Sequence, residues 1–265
     1  MERHDFHHDG LKLSYLDPGG VGRVLIALHA HFMEAMTFAP LAAALAPEWR
    51  VVALDQRGHG YSDHALSYAR ADYIRDLETF VQHLRLSDVV LLGNSLGGVN
   101  AYQFAARHPE TVRGLIIEDI GAEVSDDLSF VLAWEGQFAN REALAERVGP
   151  RLLPYLQDSF RKTPTGWRVA FDPREIVASG RWLSGDHWQD WLASECPTLL
   201  IRGRDSRVTT QAAVEQMASR RPNTRLATLD GGHVIHLDNP TGFANAVREF
   251  LRELQNSSDK PRRVP

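Results

Sequence analysis

The segment Gly93-Asn94-Ser95-Leu96-Gly97-Gly98 follows the apolar run Val89–Leu92 and opens a stretch of helical character, Ser95–His108. A serine framed by glycines at a strand-to-helix junction suits a sharp turn that lifts a hydroxyl out of a sheet for nucleophilic attack. Small residues are needed because a Cβ at Gly93 or Gly97 would meet neighbouring backbone. The turn also sets Ser95 at the positive end of a helix. A serine hydroxyl is a weak nucleophile without an adjacent base, so a histidine and an acid are sought further along. His233 follows the run Arg225–Leu229 and an Asp230-Gly231-Gly232 turn, and His236 lies three residues on. An imidazole titrates near neutrality, so it can take the Ser95 proton and return it to a leaving group. The negative charge that builds on an attacked carbonyl needs two fixed donors. By position these are the backbone N–H groups of Leu96, after the serine, and His31, in the loop His29-Ala30-His31-Phe32. His29 and His31 have no carboxylate or third histidine at ligand spacing, so no metal and no cofactor is expected.

These groups work only if a scaffold converges on them. Strand-like runs Leu11–Leu16, Val24–His29, Val51–Asp55, Val89–Gly93 and Val112–Asp119 alternate with helical segments Phe38–Ala46, Tyr68–Leu86 and Ser95–His108. Continuous apolar runs such as Val89-Val90-Leu91-Leu92 indicate strands covered on both faces, hence a doubly wound, mostly parallel α/β sheet. The alternation stops at Ile120 and resumes with Pro197–Arg202, Thr210–Arg220, Arg225–Leu229 and Pro240–Leu254. Residues 121–195, broken by Pro150, Pro154, Pro164 and Pro173, read as a helical cap inserted between two strands. The expected division is a core of residues 1–120 and 196–255, a cap of 121–195 and a polar, frayed tail of 256–265. Five of the six tryptophans fall in the cap (Trp134, Trp167, Trp182, Trp188, Trp191), with Phe130, Phe138, Tyr155, Phe160 and Phe171. Together they suggest an apolar roof over Ser95, whereas for any single one of them packing of cap against sheet is the favoured reading.

The run Asp55-Gln56-Arg57-Gly58-His59-Gly60-Tyr61-Ser62, with Gly93-Asn94-Ser95-Leu96-Gly97-Gly98 and Gly231-Gly232-His233, resembles the serine hydrolases of the α/β-hydrolase superfamily from about Leu11 to Leu254. The resemblance implies the α/β-hydrolase fold and favours His233 over His236, because Pro240 starts the last helix as in relatives. It also locates the acid. Many relatives carry it in the loop after the seventh strand of the sheet, three residues beyond a glycine. Here that glycine is Gly203 and the third residue is Ser206, with Asp205 one position early. An esterase-like branch instead carries an Asp-Ile pair after the sixth strand and a serine in that loop, which matches Asp119-Ile120 and Ser206. Asp119, 24 residues beyond Ser95, is therefore the expected acid and Asp205 the alternative. Glu118 should point to the opposite face of its strand. The departure from the family pattern is His29-Ala30, where most relatives have His-Gly.

The resemblance implies a cofactor-free serine hydrolase cleaving a carboxylic ester, thioester or lactone, with Ser95, His233 and Asp119 as nucleophile, base and acid. Superfamily members with an aspartate nucleophile, the haloalkane dehalogenases and epoxide hydrolases, are excluded by Ser95. Two alternatives stand beside it. Asn94 resembles hydrolases that cleave C–C bonds of diketones, but Ala30-His31-Phe32-Met33 lacks their usual Gly-Pro-Gly. A slow-turnover, receptor-like ligand binder is the other. With 29 Lys+Arg against 34 Asp+Glu, the net charge of −5 and the lack of a basic block argue against nucleic acid or an anionic membrane as partner. A small-molecule substrate is the expected partner, and a homodimer stays open. One cysteine, Cys196, and a polar N-terminus without an apolar signal region point to a cytoplasmic location.

Overall fold

A computed structural model describes residues 1–258. From residue 259 on, the expected tail lies outside the described residues. Eight strands form one sheet: β1 (Glu2–His8), β2 (Leu11–Asp17), β3 (Arg23–Leu28), β4 (Trp49–Leu54), β5 (Val89–Asn94), β6 (Val112–Glu118), β7 (Thr198–Gly203) and β8 (Thr224–Leu229). Their spatial order is β1-β2-β4-β3-β5-β6-β7-β8. The six from β4 through β8 pair in parallel, and β1 and β2 add an antiparallel edge.

The apolar runs are continuous because each strand feeds two cores. Ile26, Leu28, Leu91, Leu115 and Ile117 join a cluster with α2 (Arg70–His83) and α3 (Leu96–Arg107). Their sequence neighbours Leu25, Ala27, Val90, Leu92 and Ile116 join a second cluster with α1 (Ala39–Leu45). The last helix contributes Phe243, Val247, Phe250, Leu251 and Leu254 to that second cluster. Their spacing places them on one face.

The strand Glu2–His8 was not anticipated. Only Phe6 of it is buried, so it carries little apolar pattern. Its signal was the Asp9-Gly10 pair, whose φ values of 47° and 79° make the tight hairpin turn into β2.

The chain between β6 and β7 is largely helical, as expected, and also carries short strand pairs. Beside α4 (Arg141–Val148) and α5 (Pro173–Leu183) it holds an antiparallel hairpin, Phe160–Thr163 with Gly166–Val169. Pro164-Thr165 forms its turn, and alternation of Phe160, Trp167 and Val169 with polar residues suits a strand pair. A further short pairing joins Glu123–Val124 to Gly185–Asp186. Leu128, Trp134, Leu144, Phe160, Phe171 and Ile176 build a core of its own for this segment. From Leu183 the chain returns to the sheet, where Leu183 and Trp191 join the α2/α3 cluster. Because the cap core is separate from the sheet cores, amide hydrogen exchange read by mass spectrometry should be faster in residues 125–182 than in β5 and β6. Equally slow exchange in both would show a rigid, closed cap.

Candidate active site

Ser95 joins β5 to α3 with φ 52° and ψ −115°, a conformation side-chain-bearing residues rarely adopt. Neighbouring glycines make it possible. A Cβ on Gly93 would stand 2.1 Å from Gly97 O, and one on Gly97 would stand 2.1 Å from Leu28 O. The first turn of α3 therefore abuts the end of β3, which leads straight into His29–Phe32. The Ser95 N–H donates to Glu118 O at 3.1 Å, tying the turn to the end of β6.

Asp119 follows that end with φ 50°, which short polar side chains tolerate. Its fully buried carboxylate is met by four donors. Oδ1 accepts from Thr209 Oγ1 at 2.8 Å and Gly203 N–H at 3.3 Å. Oδ2 accepts from Ser206 Oγ at 2.5 Å and His233 Nδ1 at 2.7 Å. Nδ1 donating to Asp119 leaves the His233 Nε2 lone pair for a proton. Ser206, the residue in register beyond Gly203, thus holds the Asp119 carboxylate. Asp205 is exposed, and it is Asp119 that contacts the imidazole. His236 is turned into the core, with Nδ1 2.7 Å from Glu118 Oε2 and Nε2 2.8 Å from Thr37 Oγ1.

Among the described residues, neither the His31 nor the Leu96 amide N–H has a hydrogen-bond partner. Ala30 fits where most relatives have glycine because its methyl joins a small apolar cluster with Met33 and Val234. The loop is braced from below by the Asp55 motif, a function that its spacing alone did not disclose. Asp55 Oδ1 accepts from Ala35 N–H at 2.7 Å, and Oδ2 accepts from Arg3 Nη1 at 2.6 Å and Tyr61 N–H at 3.0 Å. Arg57 of the same motif pairs with Asp76 of α2 at 2.6 Å.

Behind this loop three buried histidine rings cluster, with His59 5.0 Å from His29 and 5.9 Å from His31. Burial lowers His29 to about 4 and His59 to about 3, and burial together with neighbouring cationic groups holds His31 well below the usual histidine range. These folded values lie below the unfolded one, so the neutral rings contribute stability that is present above pH 6.5 and lost as pH falls toward 4. The thermal midpoint should drop by roughly 5–10 °C between pH 7 and pH 5. His59→Gln should shrink that drop in a pH series of melting curves, and an unchanged drop would assign the acid sensitivity elsewhere.

Ser95 and His233 open into one cavity of about 550 Å³. Its wall combines Phe32, Met33, Leu128, Phe130, Tyr155 and Val234 with Asp126, Arg151, Asp205 and Arg207. No tryptophan is among the lining residues, so of the expected aromatic roof Phe130 and Tyr155 remain. Trp134 packs inside the cap and Trp191 beside α3. Phe130 and Tyr155 are the cap aromatics that face the cavity.

A profile of the Alpha/beta hydrolase family matches residues 24–246, from β3 into the last helix. The chain belongs to the alpha/beta hydrolase family. It is 24% identical over 253 residues to the 2-(acetamidomethylene)succinate hydrolase of Mesorhizobium japonicum, spanning 88% of this chain and 89% of that one. It is 25% identical over 240 residues to a putative esterase/lipase of Haemophilus influenzae, spanning 87% and 83%. The crystal structure of E-2-(acetamidomethylene)succinate hydrolase superposes with a TM-score of 0.87 at 22% identity, covering 95% of this chain and 99% of that one. A marine microorganism esterase gives 0.79 at 24% identity, covering 90% and 98%. As an alpha/beta hydrolase, the protein carries the family's eight-stranded, mostly parallel sheet, and its chemistry is hydrolytic. Among the described residues no helix is long and apolar enough to cross a membrane, and no group of three or more His, Cys, Asp or Glu could hold a metal ion.

Proposed function

We propose that this alpha/beta hydrolase cleaves a carboxylic ester, thioester or lactone through an acyl-enzyme on Ser95. The observation that carries the reading is the 2.7 Å contact between His233 Nδ1 and buried Asp119, with His233 and Ser95 lining one cavity. His233 Nε2 takes the Ser95 proton as Oγ attacks the carbonyl carbon. The oxyanion is received by the unpaired N–H groups of His31 and Leu96, an electrostatic contribution of about 3–4 kcal/mol per donor in comparable sites. His233 then protonates the leaving alcohol or thiol. Water deprotonated by the same imidazole attacks the acyl carbon, which releases the acid and restores Ser95. Asp119 keeps the imidazole in one tautomer and stabilises its cationic form.

The apolar half of the wall, from Phe32 through Leu128 and Phe130, suits a hydrophobic acyl or alcohol group. The C–C hydrolase alternative stands beside this reading, and the contacts of Asn94 do not decide between them. Asn94, the residue that suggested it, faces into the fold and donates to Glu118 O at 3.2 Å and His233 O at 3.1 Å. A relative named as an esterase/lipase fits the ester reading, and one named as a succinate-derivative hydrolase fits hydrolysis in general. A series of p-nitrophenyl esters from acetate to octanoate tests the proposal. Many turnovers per protein are expected, with kcat/KM rising beyond acetate. A single stoichiometric release without turnover would favour the receptor-like binder.

A further inference from the structure

We infer that Glu118 and His236 form a buried positioning pair that sets the loop carrying His233 against Ser95. The inference rests on the role of His233 as base. Glu118 and His236 side chains are 0% and 1% exposed. Two groups of this kind are costly to bury, and apolar residues of similar volume would often give equal or greater stability. Their surroundings are ready for such residues, since the His236 ring stacks on Phe38 at 4.6 Å and tilts against Phe243 at 5.8 Å. Packing alone therefore does not account for the pair.

Its connections do. Glu118 is the residue before Asp119, and its carbonyl accepts from the Ser95 N–H and from Asn94 Nδ2. Its carboxylate accepts the His236 backbone N–H at 2.9 Å on Oε1 and meets the ring Nδ1 at 2.7 Å on Oε2. One residue thus touches the nucleophile's turn, precedes the acid and clamps the base loop. The far ring nitrogen of His236 reaches Thr37 Oγ1, in the helical turn (Ala35–Phe38) that follows the His31 loop. The His233 segment is held on either side as well, by Gly232 N–H on Asp238 Oδ2 at 2.7 Å and by His233 O on Asn94. Without the clamp at His236, the segment loses its tie to the end of β6 and to the turn behind the His31 loop while Asp119 and Ser95 stay on the sheet. Proton transfer needs hydrogen-bond reach, and a displacement near 1 Å can cost about 10²-fold in rate. Glu118 and His236 act through His233 and touch no reacting atom.

The test uses kcat per active site, with sites titrated by a fluorophosphonate so that partial unfolding is removed from the comparison. The double variant Glu118→Leu/His236→Phe replaces the pair by apolar groups. It should fold and lose about 10- to 100-fold in kcat, with KM within about threefold. Glu118→Gln keeps an acceptor for the His236 N–H and a partner for the ring, so it should recover most of that loss. A double variant with kcat per site within twofold of the parent would overturn the inference. If the double variant does not fold, Thr37→Val removes only the far hydrogen bond of His236. It should lower kcat severalfold at constant KM, and an unchanged kcat would equally overturn the inference. Failure of the ester hydrolase reading would look different, since the parent itself would then not turn over.

Discussion

Replacing Ser95 with alanine should abolish hydrolysis, lowering kcat by about 10⁶-fold as in other triads that lose their serine. The fold should survive, because alanine brings the same Cβ to the strained turn and adds no bulk. Melting midpoints within a few degrees of the parent, together with loss of p-nitrophenyl ester turnover, would establish both halves. Retention of more than a few per cent of activity would mean that another group attacks the carbonyl.

The next largest effect separates two aspartates. Asp119→Asn should lower kcat by about 10⁴-fold, equivalent to about 5 kcal/mol of transition-state stabilisation. An amide in place of Oδ2 cannot accept from both Ser206 and His233. If its NH₂ turns toward the imidazole, the ring is held in the tautomer that cannot receive the serine proton. Asp205→Asn should cost less than about threefold, because its carboxylate is exposed and it is Asp119 that contacts the imidazole. Steady-state kinetics on both variants, with circular dichroism to verify folding, decides the matter. The reverse ranking would move the acid to Asp205.

Much of this site was readable because its demands are local. Gly93 is required by its contact with Gly97 within the turn, although Gly97 itself abuts Leu28 of β3, and the register of Ser206 beyond Gly203 already pointed the search for an acid toward Asp119. The parallel strands were readable because both faces of the sheet are covered, so Val89–Leu92 and Leu115–Ile117 carry unbroken apolar runs. What escaped depends on partners distant in the chain or on weak pattern. β1 buries little beyond Phe6 and was announced only by Asp9-Gly10. Side-chain alternation put Glu118 opposite Asp119, but nothing local showed that its partner would be His236, 118 residues away. The tryptophans of residues 121–195 went to separate places for a similar reason. Trp191 serves the sheet and Trp134 the cap, and composition alone does not distinguish the two.

The central claim, that Ser95 is the nucleophile activated by His233, is tested most directly by fluorophosphonate labelling read by intact mass and peptide mapping. One adduct per chain is expected, on the peptide containing Ser95, with none in Ser95→Ala and slow formation in Asp119→Asn. An adduct on any other residue, or one that persists in Ser95→Ala, would contradict it.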